Sequence, residues 1–321
     1  MTAALPRKLL VAVGGNAIHP GGIKGTVAEQ RVLAAKTAAS LAPLLQQVEQ
    51  LIITHGNGPV VGKILMRQAL AREQVAPMTL DVCVAHSQGG IAYLLQQAFE
   101  NQLRQTVRQK ERQRAVLSLL TQVEVDADDP AFANPSKPVG FFFDAEQARA
   151  LEQTLGWEMR EDAGRGYRHV VPSPDPKKVL EGELIDAIVR QGTIVIAGGG
   201  GGIPVVQQPD GSREGVAAVV DKDLCSALLA SQLQAEVLLI LTAVSQVALN
   251  FGQPDQRELG RISVDELIGY QQQGHFAAGS MGPKVEAAIR FVKNTGGRAV
   301  IAHLYEAEAA LQGDAGTQVV V

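Results

Sequence analysis

The chain has 321 residues, 46% hydrophobic and 19% charged, with a formal net charge of −4, 33 glycines and 2 cysteines. This balance excludes a disordered chain, a polybasic nucleic-acid binder and a disulfide-stapled domain, and two thiols alone point to a reducing compartment, the cytoplasm. No apolar run approaches the roughly 20 residues of a bilayer span, and Met1 to Lys8 leads straight into a strand pattern, so neither membrane anchor nor signal peptide is expected.

Short aliphatic runs at 9–13, 51–54, 115–125, 193–197, 237–241 and 299–302 read as buried strands. Longer stretches of helical period lie between them, at 26–49 and 89–108, and Val285, Ala288, Ile289 and Val292 mark a helix face behind Gly279-Ser280-Met281-Gly282-Pro283, which offers N-terminal capping chemistry. The alternation predicts an α/β fold, helices on both faces of a mainly parallel sheet. Residues 126–176 break the rhythm with six prolines, Phe141-Phe142-Phe143 and the single tryptophan, Trp157. They read as a lid inserted in one domain spanning 1–321, although an irregular excursion of this kind is as often purely structural. The basic positions Arg104, Arg108, Lys110, Arg112 and Arg114 read as a solvated helix end.

Three glycine clusters follow predicted strands: Gly14-Gly15-Asn16, Gly56-Asn57-Gly58 and Gly198 to Gly202. One such turn is weak evidence, but loops at the carboxyl edge of a parallel sheet share a crevice, and three glycine-rich loops there fit a phosphate chain. A Walker loop is absent. The run from Gly56 to Gly62, with Asp81 downstream, is a near miss for a dinucleotide fingerprint and leaves the other clusters unexplained. Lys222 between Asp221 and Asp223 is at its blandest a surface ion pair, and Lys284 in a first helical turn a solvated residue; both make better sense as cations facing a transferring phosphoryl group. The histidines show no metal spacing, and His86 is expected to open a turn. Cys83 and Cys225 read as buried thiols.

In order from about Lys8 onward, Gly14-Gly-Asn-Ala17, His55-Gly-Asn-Gly-Pro59, Asn134-Pro-Ser-Lys-Pro138, Glu161-Asp-Ala-Gly-Arg-Gly166, Val220-Asp-Lys-Asp223 and Gly279-Ser-Met-Gly-Pro-Lys284 resemble the carbamate kinases of the amino-acid kinase superfamily. The resemblance implies a three-layer αβα sandwich, a homodimer, a place in arginine metabolism, and Mg²⁺-dependent transfer between ATP plus carbamate and ADP plus carbamoyl phosphate, with ATP formation the useful direction. It further implies that Lys222 and Lys284 neutralise the phosphoryl group with Asp223 orienting them, and that Lys137 reaches in from the lid. Gly14, Gly15, Asn16, Gly56, Asn57 and Gly58 would hold phosphate and carbamate. Gly199, Gly200, Gly201, Gly202, Thr242, Val244 and Met281 would contact the nucleotide, and no protein side chain is assigned to a metal. The chain departs from the family pattern at Val60, His86 and Ser87, near the expected acceptor, and at Ser245 and Gln253, near the expected nucleotide. These departures motivate an alternative: a carbamate-kinase-like protein that senses carbamoyl phosphate or acts on another small carboxylate.

Overall fold

The computed structural model describes residues 5–15, 23–106, 114–162, 164–277 and 279–321. Asn16, Arg108, Lys110 and Arg112 fall outside them. The chain enters through β1 (Lys8–Val13). α1 (Val27–Ser40) starts at a capping box in which Thr26 and Glu29 satisfy each other's backbone amides. Pro43 then opens a second helix, α2 (Ala42–Gln47), so the segment expected as one helix is two. β2 (Gln50–His55) leads to α3 (Gly58–Ala71) and the long α4 (Leu80–Thr106).

Helix α4 begins nine residues before the expected start, and His86 lies inside it rather than in a turn. Gly89 and Gly90 cost the helix roughly 1 kcal/mol each. Burial of Ile91, Leu95, Phe99 and Leu103 against the sheet, at about 1.5–3 kcal/mol for each large side chain, outweighs that loss.

The run expected as one strand divides into β3 (Val116–Ser118) and β4 (Gln122–Val125). Thr121 turns the chain out of the first sheet: its N–H donates to Gln88 Oε1, and its hydroxyl accepts from the Gly198 N–H. Within the proline-rich segment, β5 (Lys137–Phe143), α5 (Ala145–Leu155), β6 (Met159–Glu161) and β7 (Tyr167–Val171) form an antiparallel sheet of their own, ordered β5-β7-β6, with one helix. β8 (Pro176–Val179), α6 (Gly182–Val189), β9 (Ile194–Ile196), β10 (Ile203–Gln207), β11 (Arg213–Gly215) and α7 (Lys222–Gln232) return the chain to the main body. There follow β12 (Val237–Thr242), β13 (Val247–Leu249), β14 (Arg257–Leu259), β15 (Arg261–Ser263), α8 (Val264–Gln272), α9 (Met281–Thr295), β16 (Arg298–His303), α10 (Ala307–Gln312) and β17 (Thr317–Val320).

The main sheet has the order β15-β17-β16-β12-β1-β2-β9-β3, parallel throughout except where β17 runs against β16. Its central strands are apolar on both faces. Leu9, Val11 and Val13 pack with residues of α1, α2, α4 and α10, whereas Leu10 and Ala12 pack with residues of α6, α7 and α9. This alternation, forced by the two-residue period of a strand, produces the αβα sandwich. In register, Val13 lies beside His55 on one side and Leu241 on the other. The loops after β1, β2 and β12 therefore open at one edge.

Candidate active site

At that edge the backbones of two glycine loops touch. A Cβ on Gly56 would lie 3.0 Å from the Gly15 amide nitrogen, and one on Gly14 would lie 3.2 Å from the Leu241 carbonyl. Helix α3 begins two residues later, with Pro59 in its first turn and Asn57 as an N-cap whose side chain makes no capping bond. Its free amides and the positive end of its dipole face a cavity of about 200 Å³ lined by Gly15, Asn57, Gly58, Gly200, Lys222 and Lys284 among others.

Three lysines from three distant segments meet here around two aspartates. Lys137 of β5 is ion-paired with Asp221, which also caps α7 by accepting from the Asp223 and Leu224 N–H groups. Lys222 lies 2.5 Å and Lys284 3.1 Å from the Asp223 carboxylate, which is only 3% exposed. Burial alone would raise the Asp223 carboxyl, but the charges and hydrogen bonds of Lys222 and Lys284 overcome it and hold the group well below the usual carboxylate range. Burial lowers the Lys222 ammonium, with Lys284 adding to the effect and Asp223 opposing it. Three cations against two anions give the site one excess positive charge, as a receptor for polyanions requires.

The glycine turn after β9 is clamped by Gln88, whose Nε2 donates to the carbonyls of Gly199 at 2.9 Å and Thr121 at 3.3 Å. Gly200 has φ +66, and a Cβ there would come within 2.3 Å of Asn57 Nδ2, so only glycine serves. The turn was expected on the nucleotide side. The structure instead places Gly200 in the smaller cavity and seats Gly199, Gly201 and Gly202 against His55, Val220 and Val123, none of the four lining the larger cavity.

That larger cavity, about 590 Å³, adjoins the first and shares Lys284 with it. Its volume is within the range of nucleotide-sized ligand sites. Thr242, Val244 and Met281, the other residues expected to contact nucleotide, line it, as do Gln246, Phe251, Gln253 and His275. Phe251 is 69% exposed and offers a ring face to a planar group. Lys284 does stand in the first turn of α9, but Ser280 makes no capping bond there, contrary to the sequence expectation.

Of the residues that depart from the family pattern, Gln253 lines the larger cavity and Ser245 does not. Val60 packs with the core on the α4 face of the sheet. His86 is exposed, whereas its neighbour Ser87 is fully buried and bonded to Asn57. Sequence reasoning noted Ser87 near the expected acceptor but not its contact with Asn57, and passed over Gln88, because the segment was read as a turn. Among the described residues no histidine lines the smaller cavity. His55 lies beneath it, pushed down to about 4 by burial. His169, stacked on Trp157 at 4.4 Å, is lowered to about 4 for the same reason. Asp81 faces Gly215 on β11. Both cysteines are buried, and burial raises the Cys225 thiol to about 12.

Among the described residues no three His, Cys, Asp or Glu side chains converge as metal ligands. The cavity carboxylates are engaged by lysines, so the residues fit a divalent cation carried on nucleotide phosphates. No helix among the described residues is long and apolar enough to cross a membrane.

Residues 7–303 match the Amino acid kinase family, and the chain belongs to that family. Within it, the chain is 49% identical over 319 residues to a carbamate kinase of Pyrococcus horikoshii, covering 98% of this chain and 99% of the relative. It is 41% identical over 315 residues to the carbamate kinase-like protein YahI of Escherichia coli, covering 97% and 98% respectively. The structure of a Giardia lamblia carbamate kinase bound to AMP-PNP superposes with a TM-score of 0.89 at 38% identity, covering 100% of this chain and 99% of that one.

Proposed function

We propose that this chain is a carbamate kinase, catalysing phosphoryl transfer between carbamoyl phosphate and ADP to give carbamate and ATP, and the reverse. The observation that carries the reading is the convergence of Lys137, Lys222 and Lys284 on a small, amide-lined cavity that opens through Lys284 into a nucleotide-sized one. An oxygen of the ADP β-phosphate attacks phosphorus while the bond to the carbamate oxygen breaks. Carbamate leaves as an anion, so no general base is needed.

Lys222 and Lys284 supply positive charge to the phosphoryl oxygens, Asp223 holds them in place, and the amides of Gly15 and Gly58 bind the remaining oxygens, while Gly56, whose N–H donates to the Val13 carbonyl at 3.0 Å, shapes the loop between them. Gly14 belongs to the first of these loops, and Asn16 follows Gly15 in the sequence. Mg²⁺, brought on the nucleotide, neutralises phosphate charge when bound. Lys137 gives the segment 126–176 the role of a lid, because its ammonium crosses from β5 to Asp221 at the mouth of the cavity. The reading includes a cytoplasmic homodimer, a role in arginine metabolism and ATP synthesis as the working direction.

The test is a coupled assay of ATP formation from ADP and carbamoyl phosphate, with and without Mg²⁺. Lys222→Ala and Lys284→Ala are each expected to lose about 10²-fold or more in turnover. Near-native turnover in both variants would refute the assignment.

A further inference from the structure

The smaller cavity contains one side chain whose donor and acceptor ends are assigned by its neighbours. The Ser87 hydroxyl, fully buried in α4, donates to the Val84 carbonyl at 2.7 Å. With its single proton committed there, it can meet the Asn57 carboxamide only as an acceptor, and Asn57 Nδ2 donates to it at 2.9 Å. Gly200 walls the same nitrogen. The amide is thus held with Oδ1 turned away from Ser87. Asn57 lines the cavity, its one side-chain hydrogen bond among the described residues is that of Nδ2 to Ser87, and Oδ1 is not among the fully buried unpartnered atoms, which leaves it open to a ligand.

An acceptor is out of place in a site built for anions. The three lysines and the loop amides are donors, and the carboxylates of Asp221 and Asp223 are already engaged. Phosphate and carboxylate oxygens need those donors; among the groups of carbamoyl phosphate itself, only the amine N–H has use for Asn57 Oδ1. On the reading that the substrate is carbamoyl phosphate, we propose that Asn57 Oδ1, oriented by Ser87, accepts a hydrogen bond from the substrate amine and so selects carbamoyl phosphate over methyl-bearing acyl phosphates. Ser87 is a positioning residue. Acetyl phosphate, which replaces the amine by a methyl group, leaves Oδ1 unpaired and gains no compensating contact.

The experiment measures kcat/KM for ATP formation from ADP with carbamoyl phosphate and, separately, with acetyl phosphate, in the wild type, Asn57→Ala, Ser87→Ala and Ser87→Thr. The carbamoyl-to-acetyl ratio is expected to fall about tenfold in Asn57→Ala and Ser87→Ala, the effect of one hydrogen bond worth about a factor of ten. It is expected to return in Ser87→Thr, which keeps the hydroxyl. Because the readout is a ratio, a general loss of folded protein does not move it. A ratio unchanged in both alanine variants, with the two substrates falling in parallel or not at all, would overturn the proposal. A wild type that forms no ATP from carbamoyl phosphate would overturn the functional reading itself, and this proposal with it.

Discussion

Replacing Asp223 by asparagine removes one negative charge from a nearly isosteric position and leaves two ammonium groups facing each other. The carboxylate is 2.5 Å from Lys222 and 3.1 Å from Lys284, and at an effective dielectric of about 20 each contact represents roughly 5–7 kcal/mol of gross attraction. Desolvation of three buried ions cancels most of that sum. The net cost of leaving charge unpaired in such a site is about 3–5 kcal/mol, a large part of the stability of an ordinary domain.

The kinetic consequences have a defined sign. The cavity gains one net positive charge, so the KM for carbamoyl phosphate should stay level or fall. The lysines lose the group that aims them, so kcat should fall by about 10²–10³-fold. Asp223 also supports the proton on Lys222 against burial. Without it the lysine deprotonates more readily, and the alkaline limb of the kcat profile should move to lower pH. Initial-rate ATP formation across pH, together with urea denaturation, reads all three effects. A variant with raised KM, native kcat and an unmoved alkaline limb would show that Asp223 is only a structural partner.

The remaining expectations concern packing, pH and thiol chemistry. A Cβ on Gly62 would lie 1.9 Å from Gly140 Cα, backbone against backbone between α3 and the strand bearing Lys137; Gly62→Ala should push β5 away, and both melting temperature and turnover should drop, whereas an unchanged kcat would detach Lys137 from catalysis. His55 and His169 are both held neutral, with folded values of about 4 against an ordinary 6.5. The unfolded chain therefore binds more protons between these limits, so stability should be level above pH 6.5 and decline toward pH 4 by up to about 3 kcal/mol per histidine, as followed by urea midpoints. Cys83 and Cys225 are buried and their thiols raised, so iodoacetamide should leave the native protein unmodified at pH 8 and add two groups after denaturation, read by intact mass.

The legible part of this molecule is the part encoded in local pattern. The six aliphatic runs each supply a strand of the main sheet, because a parallel strand covered on both faces must be apolar at every position, and such runs are visible without knowing their partners. The short strands β13 to β15, and β17 between β15 and β16, escaped notice, since runs of three or four residues are too brief to carry such a pattern even where, as in β13 and β17, they are buried. Residue chemistry exposed the lysines and the glycine turns, but not their sides of the site. Gly200 belongs with Asn57 because of a contact between the turn after β9 and the cap of α3, and nothing within either segment specifies that meeting.

The inward setting of Ser87 was hidden by a stronger local rule. Ser-Gln-Gly-Gly reads as a turn by propensity, and only the apolar face formed by Ile91, Leu95 and Phe99 against the sheet overrides it. Once the segment is helical, a one-residue step decides function: His86 turns outward to solvent while Ser87 turns inward to the Asn57 amide. The same helix carries Gln88, bonded to both Gly199 and Thr121, so α4 holds the donor end of Asn57 and the turn that walls it on one rigid element. A site whose selectivity depends on which way an amide faces needs that rigidity, because the two orientations of a carboxamide differ by the exchange of one donor for one acceptor.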